Sequence, residues 1–354
     1  MNLQRRSSET GTQPPQKKAA GTTSFLRTSR GRILFLAALA AALILAALLA
    51  MRCGIFQLTF REILAALTGG GDPVVSQIVL RLRLPRVLLG ILTGSALAVS
   101  GGTLQGVMRN PLASPGLLGV SAGAGLAGTF ILIFLPGFEV FLLPGAFAGA
   151  LLAAGLVCLL AMDKNMDPVR LILSGAAVSA LLAAVTTMLM LARPDRAGNI
   201  LDFMTGSLAM KDFRHIRQIG PYLPIGFLAA FLASGRLNIL ALGDDTAASL
   251  GISVRGTRLL ATASAALLAA SAVSSAGLLG FAGLAAPHVV RMCIGPDNRF
   301  LLPGAALTGA IMVVLCDAAG RVILAPSEVP AGVILAVLGA PFFLWLLRRT
   351  AHDH

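Results

Sequence analysis

From Ile33 to Leu347 the sequence is a succession of uncharged apolar runs, separated by short charged or proline- and glycine-containing breaks. The runs are Ile33–Met51, Val87–Met108, Pro111–Phe138, Val140–Met162, Leu171–Ala192, Gln218–Gly235, Leu259–Val290, Phe300–Cys316 and Val329–Leu347. An apolar helix of ~20 residues crosses the ~30 Å hydrocarbon core of a bilayer, where each segment must satisfy its own backbone N–H and C=O groups. Recurrence of such runs along the whole chain defines the fold class as all-α and polytopic. Composition agrees. Only 12% of the residues are charged, against roughly 25% in a domain whose surface faces water.

The run from Leu259 to Val290 is too long for one span. As a single helix at ~1.5 Å per residue it would reach about 48 Å, well past the core. Gly277, Gly280, Gly283 and Pro287 fall in its second half and offer places to break it. Read as two spans, it brings the total to ten transmembrane helices. An even number puts both termini on one side, and the basic residues near each end make that side the cytoplasm. Residues 1–30, polar and containing Pro14-Pro15, read as a disordered cytoplasmic tail, and 31–350 as one membrane domain. Residues 98–106, AVSGGTLQG, are echoed at 272–280, AVSSAGLLG, in spans of opposite direction, as an inverted repeat would give.

The net charge of +13 sits in short blocks between the apolar runs. That placement suits lipid headgroups, topology signals and acidic partners, and excludes a nucleic-acid-binding face. The basic bias toward the cytoplasm is weak, because arginines also gather outside. They lie in Arg81-Leu82-Arg83-Leu84-Pro85-Arg86 and between Arg193 and Arg217. Arginines kept outside against the usual tendency call for an acidic partner there. Cys53, Cys158, Cys293 and Cys316 are widely spaced and form neither a metal motif nor a disulfide framework. The 39 glycines fit close helix packing in lipid, where small residues let backbones approach.

Three segments are polar or proline-rich where a passive anchor would have no use for them. The first runs from Arg83 to Gly123, and in it Asn110-Pro111 and Pro115 force an ordered turn after the second span. The second, Leu237 to Gly251, reads LNILALGDDTAASLG and lies on the cytoplasmic side between the sixth and seventh spans. Gly243 breaks the chain there, Asp244 or Asp245 can cap a short helix, and Gly251 can end it. Such a helix is either an ordinary loop helix or one that docks into a groove of a soluble motor domain. The third, Gly277 to Arg291, contains Pro287-His288 near the cytoplasmic end of the eighth span. A histidine there is a proton relay, a ligand or, more commonly, a hydrogen-bonded structural residue. No G-x-x-x-x-G-K-[ST] occurs, so any ATP must be bound by another polypeptide.

In order along the chain, RLPR, LQGVMRNPLASPGLLGVSAGA, LNILALGDDTAASLG, GFAGLAAPHVVR, PSEVP and GAPFFLWLL resemble the FecCD family of ABC importer permeases. The family includes ferric-siderophore, haem and cobalamin permeases, and the resemblance covers roughly residues 55–350. It implies a ten-helix permease fold of the cobalamin-importer type with no catalytic residues of its own. It also implies a second permease copy, two cytoplasmic ATPase subunits that hold ATP and Mg, and a periplasmic binding protein that delivers the cargo. Arg83, Arg86 and Arg321 match the positions that pair with acidic residues of the binding protein. Leu242, Gly243, Asp244, Asp245, Ala248, Leu250 and Gly251, within 237–256, match the helix that couples ATPase closure to the spans. Asn110, Pro111, Pro115, Pro287 and His288 belong to the shared motifs. Candidates for the pathway are Gly90, Gly94, Gly101 and Gly102 of the second span and Ser174 and Ser179 of the fifth. The expected function is uptake of a metal chelate, a ferric siderophore first, with haem and cobalamin as alternatives.

Two other classes remain open at this point. An ion-coupled secondary transporter would place ionisable residues near the bilayer midplane, and only Asp317, one turn before Arg321, comes close. A structural membrane subunit would have no need of a coupling helix.

Overall fold

The computed structural model describes residues 28–54, 56–162, 166–196 and 198–351. The expected tail lies outside the described residues up to position 27. The helices are α1 Ser29–Arg52, α2 Phe60–Leu67, α3 Pro73–Gln77, α4 Leu84–Met108, α5 Val120–Phe134, α6 Leu142–Leu160, α7 Pro168–Ala192 and α8 Gly198–Thr205. They continue with α9 Phe213–Ile219, α10 Tyr222–Leu240, α11 Asp244–Ser249, α12 Val254–Ala276, α13 Ala282–Ile294, α14 Asn298–Ile323 and α15 Ala331–Ala351. A π-helical turn, Ile78–Arg83, joins α3 to α4 without a break.

Among the described residues seven helices are long and apolar enough to cross a bilayer, and three shorter apolar helices, α5, α13 and the first part of α15, accompany them. The long run divides where its length requires. α12 ends at Ala276, Gly277 turns at φ +77°, and α13 begins after Phe281 at φ +61°. The Leu278 N–H donates to the carbonyl of Phe203 at 3.0 Å, so the crossover between the two helices is tied to α8.

The span ends carry the caps that bare helix termini need. Thr28 starts α1, Asp72 with Pro73 starts α3, Asp167 with Pro168 starts α7, Ser253 starts α12 and Asp297 starts α14. Thr59 and Glu62 form a reciprocal capping box on α2.

The core is built around α4 and α12, the two spans whose apolar windows are 78% buried. α4 packs against α10, α12, α13 and α14. Ser100 of α4 donates to the carbonyl of Ala265 in α12 at 2.7 Å, binding together the helices that carry the two echoed segments. Glycines set the closest approaches. A Cβ on Gly101 would lie 1.7 Å from the Gly283 carbonyl oxygen, and one on Gly94 would lie 2.3 Å from that of Gly309. α1 and α7 are the least enclosed spans, with 11% and 22% of their apolar windows buried.

Candidate functional site

Two ionic clusters sit at opposite ends of the bundle. The first is built on the start of α4 and the end of α14. Arg86 donates from Nε and Nη2 to the Asp317 carboxylate at 2.8–3.0 Å, and from Nη1 to Glu328 Oε2 at 2.8 Å. Arg321 lies 3.4 Å from Asp317 Oδ2 and donates to the Cys53 carbonyl at 3.0 Å. Arg83 donates to the carbonyls of Met51, Arg52 and Phe56. Met51 and Arg52 form the last turn of α1, where carbonyls lack helical partners and the helix dipole is negative. The Arg83 guanidinium therefore caps the C-terminus of α1.

The three arginines expected to face a partner are thus gathered at one end, but they turn into the chain. Arg83 and Arg321 are 7% and 5% exposed. Arg86 has a side chain 12% exposed, beside Glu328 at 37%. A cavity of about 580 Å³ opens next to them, bounded by Arg52, Cys53, Gln57, Arg321 and Pro326. Asp317 and Glu328 are the acids that sequence reasoning did not connect to Arg86. They stand more than two hundred residues away, and no spacing signals such a pair.

The second cluster joins the turn after α4 to the short helix α11. Arg109 ends α4 in the left-handed region at φ +48°. Its Nη2 donates to Asp244 Oδ1 at 3.0 Å, and Arg258 Nη2 of α12 donates to the same oxygen at 2.9 Å. Asp244 or Asp245 was expected as a cap. Instead Gly243 takes the N-cap position at φ +115° without a side-chain bond, and Asp244 serves the two arginines. Gly251 turns at φ +78° past the helix end, as its place in the motif suggested. Ala247 is fully buried, whereas Leu242 and Leu250 are 66% and 60% exposed. The segment 237–256 thus comprises the end of α10, all of α11 and the start of α12.

The proline turn is ordered as expected. Asn110 Oδ1 accepts from the Leu112 N–H at 2.9 Å, and Pro115 begins a 3₁₀ turn that ends at Gly119, φ +71°. Gln105 bridges this turn to α13. It donates to the Ala113 and Leu284 carbonyls and accepts from Arg291 at 2.8 Å. Pro287 is buried inside α13. His288 faces an apolar cleft formed with Pro111, Phe281 and Phe342, and its Nδ1 is buried without a protein partner. The hydrogen bond expected of His288 is not made at that nitrogen.

The pathway glycines all meet their own chain. Gly90 abuts Leu208 and Val314, Gly94 abuts Gly309, Gly101 abuts Gly283, and Gly102 abuts Leu302. Ser174 donates to the Arg170 carbonyl at 2.6 Å, and it and Ser179 stand half-buried on α7. Among the described residues no group of His, Cys, Asp or Glu is arranged to hold a metal ion.

Span-length helices packed through glycine, an arginine-centred cluster at one end and a short tethered helix at the other define a polytopic transport permease. The chain belongs to the FecCD transport family, whose family model matches residues 42–349. It is 42% identical over 305 residues to the Fe(3+) dicitrate transport system permease protein FecD of Escherichia coli K12, covering 86% of this chain and 94% of that one. It is 37% identical over 313 residues to the hemin transport system permease protein HmuU of Yersinia pestis, covering 87% and 93%. Among solved structures it resembles an inward-facing ABC transporter assigned to the metal-chelate type, with TM-score 0.79 and 28% identity over 90% of this chain and 99% of that one.

Proposed function

We propose that this chain is the membrane-spanning permease subunit of an ATP-driven importer that takes up a ferric chelate of the siderophore class. The observation that carries the reading is the pairing of a FecCD-family helix bundle with a short helix held by charge at one end of its two central spans. Two cytoplasmic ATPase subunits, holding ATP and Mg, press on the segment from Leu242 to Gly251. The exposed Leu242 and Leu250 and the exposed Asp245 and Ala248 supply the contact, while buried Ala247 fixes the helix to the bundle. Both termini lie in the cytoplasm, and the protein sits in the bacterial inner membrane.

A second copy of the chain completes the pathway, with α7 as the facing helix. Ala176, Ala177, Ala180, Ala183 and Ala184 are exposed on it, and small residues permit close helix approach in lipid. Ser174 and Ser179 then border the path. In this conformation the α4 glycines serve packing, so they enter the path only if α4 separates from α13 and α14.

A periplasmic binding protein docks at the Arg86–Asp317 cluster, on the outer face of the membrane. Arg83 and Arg321 hold α1, Cys53, Phe56 and α14 together as a platform. A partner carboxylate reaches Arg86 by taking the place of the half-exposed Glu328, for which bidentate guanidinium pairing is well suited.

The test is reconstitution of the permease with its ATPase and binding-protein partners in proteoliposomes. Iron-55 citrate, a ferric hydroxamate, haem and cobalamin are supplied in turn. ATP-dependent uptake of a ferric chelate, insensitive to a protonophore, is expected. Uptake by the permease alone, or uptake abolished by the protonophore at constant ATP, would refute the reading in favour of ion coupling.

A further inference from the structure

We propose that Asp244 is the positioning residue that converts movement of α11 into movement of the two central spans. The proposal rests on the permease reading above and adds the residue through which force passes.

The geometry is specific. One carboxylate oxygen, Asp244 Oδ1, accepts from Arg109 at 3.0 Å and from Arg258 at 2.9 Å. Arg109 terminates α4, and Arg258 stands in the second turn of α12. A single atom of the short helix therefore holds both of the most enclosed spans. α11 is six residues long and joined to α10 through Gly243 at φ +115°, a conformation that glycine adopts without the strain a side chain would bring. It has no length of its own with which to lever the bundle.

Burial decides what happens when α11 shifts. A displacement of more than about 1 Å takes either bond beyond hydrogen-bonding distance unless the arginine follows. The Arg258 side chain is 1% exposed, whereas Asp244 is 27% exposed. Losing Asp244 would weaken the neutralisation of an enclosed guanidinium, which is far costlier than losing a solvated pair. Arg258 therefore follows Asp244, and α12 moves with it. Arg109, 37% exposed, carries the same displacement to α4 with less force. From α4 the motion reaches α10, α13 and α14, on which it packs. The glycine contacts at Gly94 and Gly101 leave no slack there, because backbone meets backbone.

The experiment measures two rates in the complete reconstituted complex, iron-55 citrate uptake and ATP hydrolysis, for wild type, Asp244→Asn, Asp244→Glu and Arg109→Gln. Asp244→Asn should lower iron transported per ATP about tenfold, the scale of a modest coupling energy. Asp244→Glu should restore at least roughly half of the wild-type ratio, and Arg109→Gln, which alters only the exposed arm, should lower it by about threefold. An unchanged ratio in Asp244→Asn overturns the proposal. So does a proportional fall in both rates, which marks an ordinary stabilising ion pair, or loss of the ATPase subunits from the purified complex, which marks a docking residue. A wild-type complex that takes up none of the four chelates removes the permease reading itself, and the proposal with it.

Discussion

Asp317 is the residue whose removal separates an internal staple from a solvated surface pair. Its side chain is 4% exposed, it accepts three hydrogen bonds from Arg86, and it lies 3.4 Å from Arg321. Asp317→Asn keeps the volume and removes the charge, leaving two enclosed guanidiniums with Glu328 as the remaining acid. Removing one partner of a buried pair typically costs about 3–5 kcal/mol. Glu328 still neutralises Arg86 in part, so the lower figure, about 3 kcal/mol, is expected here. Glu328→Gln breaks only the 37%-exposed arm and should cost about 0.2–1 kcal/mol. Unfolding of the purified protein in mixed micelles, titrated with SDS, reads both variants on one scale. A combined Arg86→Met, Asp317→Leu variant should recover about half of the loss, because one of the two enclosed guanidiniums is gone while Arg321 still lacks the Asp317 carboxylate. The reasoning is refuted if Asp317→Asn and Glu328→Gln fall within about 0.5 kcal/mol of each other, since burial would then not govern the cluster.

Other expectations follow from the same geometry. Gly101→Ala forces a methyl against the Gly283 backbone, so its cost should reach or exceed about 3 kcal/mol in the same titration, while Gly155→Ala, with nothing within 4 Å, should stay within about 0.5 kcal/mol. Glu328→Gln should also tighten binding-protein association severalfold by freeing Arg86 Nη1, with Nε and Nη2 still on Asp317, and Arg86→Glu should abolish it; pull-down titration that finds both unchanged removes the docking role. On the short helix α9, burial and then the Lys211 charge push the His215 imidazole below its usual range, although the Asp212 carboxylate 2.8 Å away opposes them. The folded state thus binds fewer protons at His215 than the unfolded chain, so this stability is present above the ordinary histidine value of ~6.5 and is lost as pH falls through it. Amide-exchange protection across α9 should drop between about pH 7.5 and about pH 5.5 in wild type and change less in His215→Gln.

What could be read from the residues alone, and what could not, divides along a physical line. The spans were legible because hydrocarbon imposes a length and an apolar composition on each segment locally. That the long run breaks was legible because a helix of its length cannot fit the core, and Gly277 is one of the four places its residues offered. Asn110-Pro111 and Gly251 act within a few residues of themselves, and the structure has them in the turns their chemistry suits. The partners of the charged residues were not legible, since pairing is decided by which helix ends the fold brings together. Arg86 meets Asp317 and Glu328 across the whole chain, and Arg83 meets backbone carbonyls, which have no residue type to give them away. The arginines gathered at 81–86 were a reason to look for acidic or electronegative company. Much of that company is supplied by the chain itself: two carboxylates and the C-terminal end of α1. Asp244 teaches the same point at the other membrane face. Its position after Gly243 suggested a cap for its own helix, a local use. Yet a carboxylate within reach of a buried guanidinium gains more from that charge than from one backbone N–H, and the tertiary partner takes it.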